Sequence, residues 1–241
     1  MAGIATYPLL FLFALAPSLL WLAFYLRKDS NPEPNGMIVK IFLAGMLITI
    51  PAIYVETFFE GFLASFRLSE TVFLLIYFFL GIAFVEELFK FLVVRVGVFK
   101  NSAMDEPLDI MLYMIISGLG FAAFENTLLL FRLVELYPFS DIFLVNGVRF
   151  VQAILLHALV SGLLGYFLAR SAVFKKNRFA LFAAGFALAV TLHTAFNLYI
   201  FKVGDQGLFL LFLPVIPLLL LAVFISFGFR QLKKLKVSYL T

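Results

Sequence analysis

The chain has no cysteine, one tryptophan and two histidines, and only 13% of its 241 residues are charged. The missing cysteines exclude disulfides and thiolate chemistry. The shortage of charge is more decisive. Soluble domains are about 25% charged and about 45–50% apolar, whereas this sequence is 64% hydrophobic, with a mean hydropathy of +1.09. Too little polar surface exists to coat a globule in water, so the bilayer is the natural solvent. The first apolar run, YPLLFLFALAPSLLWLAFYL, lacks a basic leader and a small-residue cleavage site, which marks it as a retained span and not a signal peptide. No internal repeat and no low-complexity segment interrupts the chain.

What is there is a series of long apolar segments. Hydropathy and breakers place spans at Tyr7–Leu26, Met37–Glu60, Glu70–Val98, Pro107–Glu135, Asp141–Arg170, Arg178–Lys202 and Gly207–Phe229. The expected fold is all-α: one polytopic membrane helix bundle over residues 1–241, with seven transmembrane helices and room for an eighth. Spans three, four and five exceed the ~20 residues needed, which predicts tilt, kinks or overhang. Basic residues fall on alternate loops. Arg27, Lys28 and Lys40 flank the first, Arg95 and Lys100 the third, Arg170, Lys175, Lys176 and Arg178 the fifth, and Arg230, Lys233, Lys234 and Lys236 crowd the tail. By the positive-inside rule the N-terminus is outside and the C-terminus cytoplasmic, in what reads as a prokaryotic cell membrane. The tail is explained by anionic lipid, and the net charge of +4 needs no nucleic-acid partner.

Ionisable groups inside spans cost at least ~2.5–3.5 kcal/mol each, so each needs a partner or a function. Glu86, Glu87 and Lys90 lie in span three, Glu125 in span four, Arg149 and His157 in span five, and His193 in span six. At 1.5 Å per residue, Glu86, Glu125, His157 and His193 lie roughly 13–24 Å below the outer ends of their helices, close to one level. Glu86 and Lys90 are i, i+4 and share a face, whereas Glu87 points about 100° round. Ser161 follows His157 by one turn and Asn197 follows His193 by one turn, which suits orienting neighbours. Arg149, eight residues before His157, lies on a similar face. Singly, each of the acids reads equally as a buried ion pair or an interhelical hydrogen bond, and a lone histidine is more often helix glue. Together they predict one shared site. Two imidazoles and a carboxylate make a zinc set with a position left for water, and a second carboxylate can take the proton.

The segments EELFK (Glu86, Glu87, Lys90), GLGFAAFEN (Phe121, Glu125, Asn126), HALVSGLLGY (His157, Gly162) and HTAFN (His193, Asn197) resemble the PrsW family of intramembrane metalloproteases, within the wider group of CAAX-processing membrane proteases. NPEP in the first loop and EPLDIMLY before span four are also similar, so the resemblance runs over residues 27–200. Relatives of the CAAX type carry FxxxH where this chain has FxxxE, and EExxxR where it has EExxK. The resemblance implies an endopeptidase acting within the bilayer on membrane-anchored protein substrates, anti-sigma-factor-type regulators among them. The residue assignment expected from the two lines together is Glu86 and Glu87 catalytic, Glu125, His157 and His193 as zinc ligands, and Lys90, Asn126, Arg149, Ser161 and Asn197 in support. Water activated by glutamate without metal is the alternative within the same class. A transporter using the same polar cluster, or a scaffold that keeps only the fold, are the readings outside it. The oligomeric state is not readable from sequence.

Overall fold

The computed structural model describes residues 6–99, 101, 104–203 and 208–235, and every regular element among them is helical. In chain order these are α1 (Thr6–Leu26), α2 (Asn35–Ala64), α3 (Glu70–Ile76), a π-helical stretch (Tyr77–Ala83), α4 (Phe84–Gly97), α5 (Pro107–Leu133), α6 (Phe139–Val151), α7 (Ala153–Val173), a 3-10 turn (Lys175–Asn177), α8 (Arg178–Val203), α9 (Leu208–Phe212) and α10 (Val215–Leu232). They form seven segments long and apolar enough to cross a membrane, the lower of the two expected counts. The chain is therefore a multi-pass membrane protein. Lys100, Lys236 and Gly207, which entered the reading of loops and span ends, lie outside the described residues.

Span four is the axis of the bundle. Nearly all of α5 is buried, packed against α7, α2, α1 and α4. Lipid tails give helices no hydrophobic reason to associate, so close packing must do it, and small residues permit the approach. A Cβ on Gly120 would land on the backbone oxygen of Phe42, and one on Gly45 on the backbone oxygen of Ser117, so α2 and α5 touch main chain to main chain. Gly118 plays the same part where α5 crosses α7, against Ser161 and the His157 carbonyl. Leu12, Leu47, Phe58, Val96, Phe179 and Leu220 are exposed on the outer faces, as lipid contact requires.

The start of α5 is fixed by its own sequence. Glu106 and Asp109 form a reciprocal capping box with Pro107 at the first helical position. The Asp109 carboxylate accepts from the amides of Asp105 (2.9 Å) and Glu106 (2.6 Å). Tyr113 donates to Glu33 at 2.5 Å, and Asn31 donates to Glu106, which ties the first loop to this helix end.

Two of the over-long spans are interrupted. In span three the α-helix gives way to π-helix over Tyr77–Ala83, directly before the acidic pair. In span five the chain leaves helical geometry at Gln152 (φ −126°, ψ −85°), between α6 and α7. Neither interruption contains proline. Both breaks lie in polar contact with neighbouring helices. Thr194 Oγ1 of α8, bonded to Val190 O at 2.8 Å, also approaches Phe78 O at 3.4 Å. Gln152 Nε2 donates to Leu211 O at 2.9 Å.

Candidate active site

Four helices bring their ionisable residues to one place. From α4 come Glu86, Glu87 and Lys90, from α5 Glu125, from α7 His157 and from α8 His193. Glu86, Glu87, His157 and His193 are all buried, and each offers a ligand atom within 4.8 Å of the others. The two imidazole rings meet edge to face, with centroids 5.1 Å apart.

The hydrogen bonds fix which nitrogen does what. Lys90 Nζ lies 2.8 Å from His157 Nδ1, 3.0 Å from Glu86 Oε2 and 2.7 Å from Glu87 Oε1. An ammonium can only donate, so His157 Nδ1 must accept, and the proton of the neutral ring sits on Nε2. That nitrogen donates to Glu125 Oε2 at 2.9 Å. On the other imidazole, Nδ1 faces Glu87 Oε1 at 3.0 Å and donates to it, which leaves the lone pair on Nε2. Both of these lone-pair nitrogens lie near one oxygen. Glu86 Oε2 is 3.7 Å from His157 Nδ1 and 3.8 Å from His193 Nε2.

This arrangement fits a metal ion. Bonds of roughly 2.0–2.1 Å in a tetrahedron separate ligand atoms by about 3.3–3.4 Å, so small side-chain shifts suffice. Each imidazole is already held from behind by a carboxylate, the arrangement typical of metal-ligating histidine. The second oxygen of Glu87 is buried without a hydrogen-bond partner.

Glu125 stands apart from the four. Its side chain is 37% exposed, its Oε1 accepts from Arg149 Nη2 at 3.0 Å, and it lines a cavity of about 140 Å³. The same cavity is walled by Glu86, Arg149, Gln152, His157, His193 and Asn197. Asn126 does not line it. Asn126 binds Ala14 O and Asn146 Oδ1, both at 2.8 Å, and accepts from Arg149 Nε at 2.8 Å, which aims the guanidinium at Glu125. Ser161 sits at the crossing of α5 and α7, away from the cavity, with its hydroxyl unpartnered. A second, apolar cavity of about 260 Å³ opens between α8 and α10, and Leu156 and Phe196 line both spaces.

The comparisons fall in line with this geometry. The family model described as PrsW family intramembrane metalloprotease matches residues 33–227. The chain belongs to the PrsW family. It is 31% identical over 182 residues to Protease PrsW of Geobacillus kaustophilus, covering 72% of this chain and 71% of that protein. Protease PrsW of Oceanobacillus iheyensis is 28% identical over 208 residues, 85% of this chain and 88% of that one. That of Halalkalibacterium halodurans is 26% identical over 206 residues, 82% and 86% respectively. No solved structure matches the chain. As a PrsW protein the chain is an intramembrane protease, and its buried Glu/His group is one that can hold a metal ion.

Within this PrsW chain the structure brings Glu86, Glu87, Lys90, Glu125, Arg149, His157, His193 and Asn197 to the site, and holds Asn126 behind it and Ser161 outside it. The group able to share an ion contains Glu87 and lacks Glu125, whereas the sequence pattern placed Glu125 with the imidazoles. Sequence reasoning missed Gln152, which becomes a wall residue because span five breaks there, and Ser117, whose hydroxyl donates to Lys90 O at 3.0 Å. No spacing signal announces either one.

Proposed function

We propose that this chain is a zinc-dependent intramembrane endopeptidase that cuts membrane-anchored proteins, with Glu86, His157 and His193 holding the metal. The observation that carries the reading is the gathering of His157 Nδ1 and His193 Nε2 within 3.8 Å of Glu86 Oε2, with Glu125 and Glu87 gripping the far nitrogens. This assignment moves Glu86 from the catalytic role to the metal and Glu125 from the metal to the acid–base role. Bound zinc supplies polarisation of a carbonyl and acidification of water.

The chain's own residues do the rest. Glu125 is the carboxylate of the cavity wall left over from the ligand set; half-buried, with Oε2 on His157 and Oε1 on Arg149, it takes a proton from attacking water by releasing one of these partners. The same carboxyl then returns that proton to the leaving amine. Arg149, held by Asn126, keeps Glu125 aimed and balances its charge. Glu87 fixes the tautomer of His193. Asn197 offers amide donors to a backbone carbonyl in the cavity. A helical substrate has its amides already bonded, so it must unwind to present an extended peptide here. The apolar cavity between α8 and α10 takes the neighbouring substrate side chain. Anti-sigma-factor-type regulators are the substrate class that the family resemblance suggests. The alternation of basic loops supports an outside N-terminus and a cytoplasmic C-terminus.

The test is metal content by elemental mass spectrometry, beside cleavage of a single-span reporter. About one zinc per chain is expected in the wild type, lost in His157→Ala, His193→Ala and Glu86→Gln together with cleavage. Metal-free protein that still cuts would overturn the zinc assignment in favour of water activated by glutamate alone.

A further inference from the structure

The atoms that would hold the metal already have a partner, because Lys90 uses them. Its three N–H donors are spent on Glu86 Oε2, Glu87 Oε1 and His157 Nδ1. Two of those three acceptors belong to the ligand set argued above. The single lone pair of His157 Nδ1 can accept from an ammonium or bind a metal, but not both. An ion about 2 Å from Glu86 Oε2 and His157 Nδ1 would also lie within about 3 Å of Nζ, too close for two cations to share the space.

The surroundings give Nζ somewhere else to go. Glu87 Oε1 is already its shortest partner, at 2.7 Å, and Glu87 Oε2 is buried with no partner at all. The face of Phe121 lies 4.5 Å below Nζ and favours a cation. The Lys90 main chain is pinned through its carbonyl by Ser117, so the shift needs only side-chain rotation. A buried carboxylate pair with no cation would be strongly destabilising. The ammonium therefore has a role before loading, and a retreat after it.

We propose that Lys90 is an internal place-holding cation: it keeps the ligand side chains assembled in the metal-free protein, and on loading it surrenders Glu86 and His157 and closes onto both oxygens of Glu87. The proposal rests on the metal reading of the site. It makes Lys90 a positioning residue that opposes metal affinity while stabilising the empty fold.

The experiment is zinc titration of metal-free protein in detergent micelles, by chelator competition, with thermal unfolding of the same samples. Lys90→Met is expected to bind zinc about tenfold tighter or more, the scale of one charged hydrogen bond no longer surrendered. Its metal-free form should melt below the metal-free wild type, and zinc should raise its melting point more. Lys90→Arg keeps a charge in place and should show no gain in affinity. If Lys90→Met folds only with zinc present, its zinc release to excess chelator should be slower than that of the wild type. Equal or weaker zinc binding by Lys90→Met, or faster release, overturns the place-holder role while leaving the metal site standing. A wild type that takes up no zinc removes the metal reading itself, and this proposal with it.

Discussion

Replacing Glu125 by glutamine separates the roles that a carboxylate can have at this site. The substitution keeps shape and one acceptor oxygen, but removes the charge that Arg149 Nη2 meets at 3.0 Å and that His157 Nε2 meets at 2.9 Å. The neutral amide can still accept from one of them, with about half the strength of a charge-assisted bond. Loss of such an orienting carboxylate typically lowers metal affinity 10–100-fold, or roughly 1.4–2.7 kcal/mol. If Glu125 also moves the proton, cleavage at saturating zinc should fall by a further ~10²–10⁴. The assay is zinc affinity by chelator competition, followed by single-turnover cleavage of a reporter with zinc in excess. Retained but weakened zinc with deeply reduced cleavage is the expected pair of results. Complete loss of zinc in Glu125→Gln, with retention in Glu86→Gln, would refute the reasoning and restore Glu125 to the metal.

Other consequences can be checked independently. Gly120→Leu forces a side chain onto the Phe42 carbonyl and should destabilise the bundle by ~1–3 kcal/mol in denaturant unfolding, and an unchanged midpoint would contradict the close α2–α5 crossing. Ala195→Trp fills the apolar cavity and should slow cleavage of reporters with leucine beside the scissile bond about tenfold or more relative to glycine reporters. Equal slowing of both would place that side chain elsewhere. Burial raises the Glu33 carboxyl above the ordinary glutamate value, so its neutral form favours the fold, and that stability is lost as pH rises through the raised value. Glu33→Gln should therefore show a smaller fall in melting temperature between acidic and neutral pH, and an identical fall in both proteins would count against it.

Much of this was legible in the sequence because bilayer burial makes polar residues conspicuous. The first span runs Thr6–Leu26 against an expected Tyr7–Leu26, and span four begins at Pro107 as expected. The depth argument used only helical rise, and it brought Glu86, Glu125, His157 and His193 to one level on four helices. What stayed hidden depends on which atom faces which. The i, i+4 rule paired Glu86 with Lys90 and turned Glu87 away, yet the long ammonium reaches both acids. No spacing rule states which imidazole nitrogen is free, and that choice separates ligand from orienting carboxylate. Ser161 follows His157 by one turn, but the Gly118 contact draws it into the helix crossing. The breaks in spans three and five carry no proline, so the length of those spans was the hint at them.

The π-helical stretch of span three puts the first part of that helix, Glu70–Ile76, out of phase with the part bearing Glu86, Glu87 and Lys90. Its carbonyl at Phe78 lies 3.4 Å from the hydroxyl of Thr194, the residue that follows His193. The seam and the second imidazole are thus neighbours. Adding one further residue between Tyr77 and Ala83, where the π turn already absorbs the slack, would turn the whole acidic face by about 100° against the start of the span. It would also shift the Phe78 carbonyl away from Thr194 beside His193. Length in that short stretch is therefore as much a part of the site as any carboxylate, although none of its side chains carries a charge.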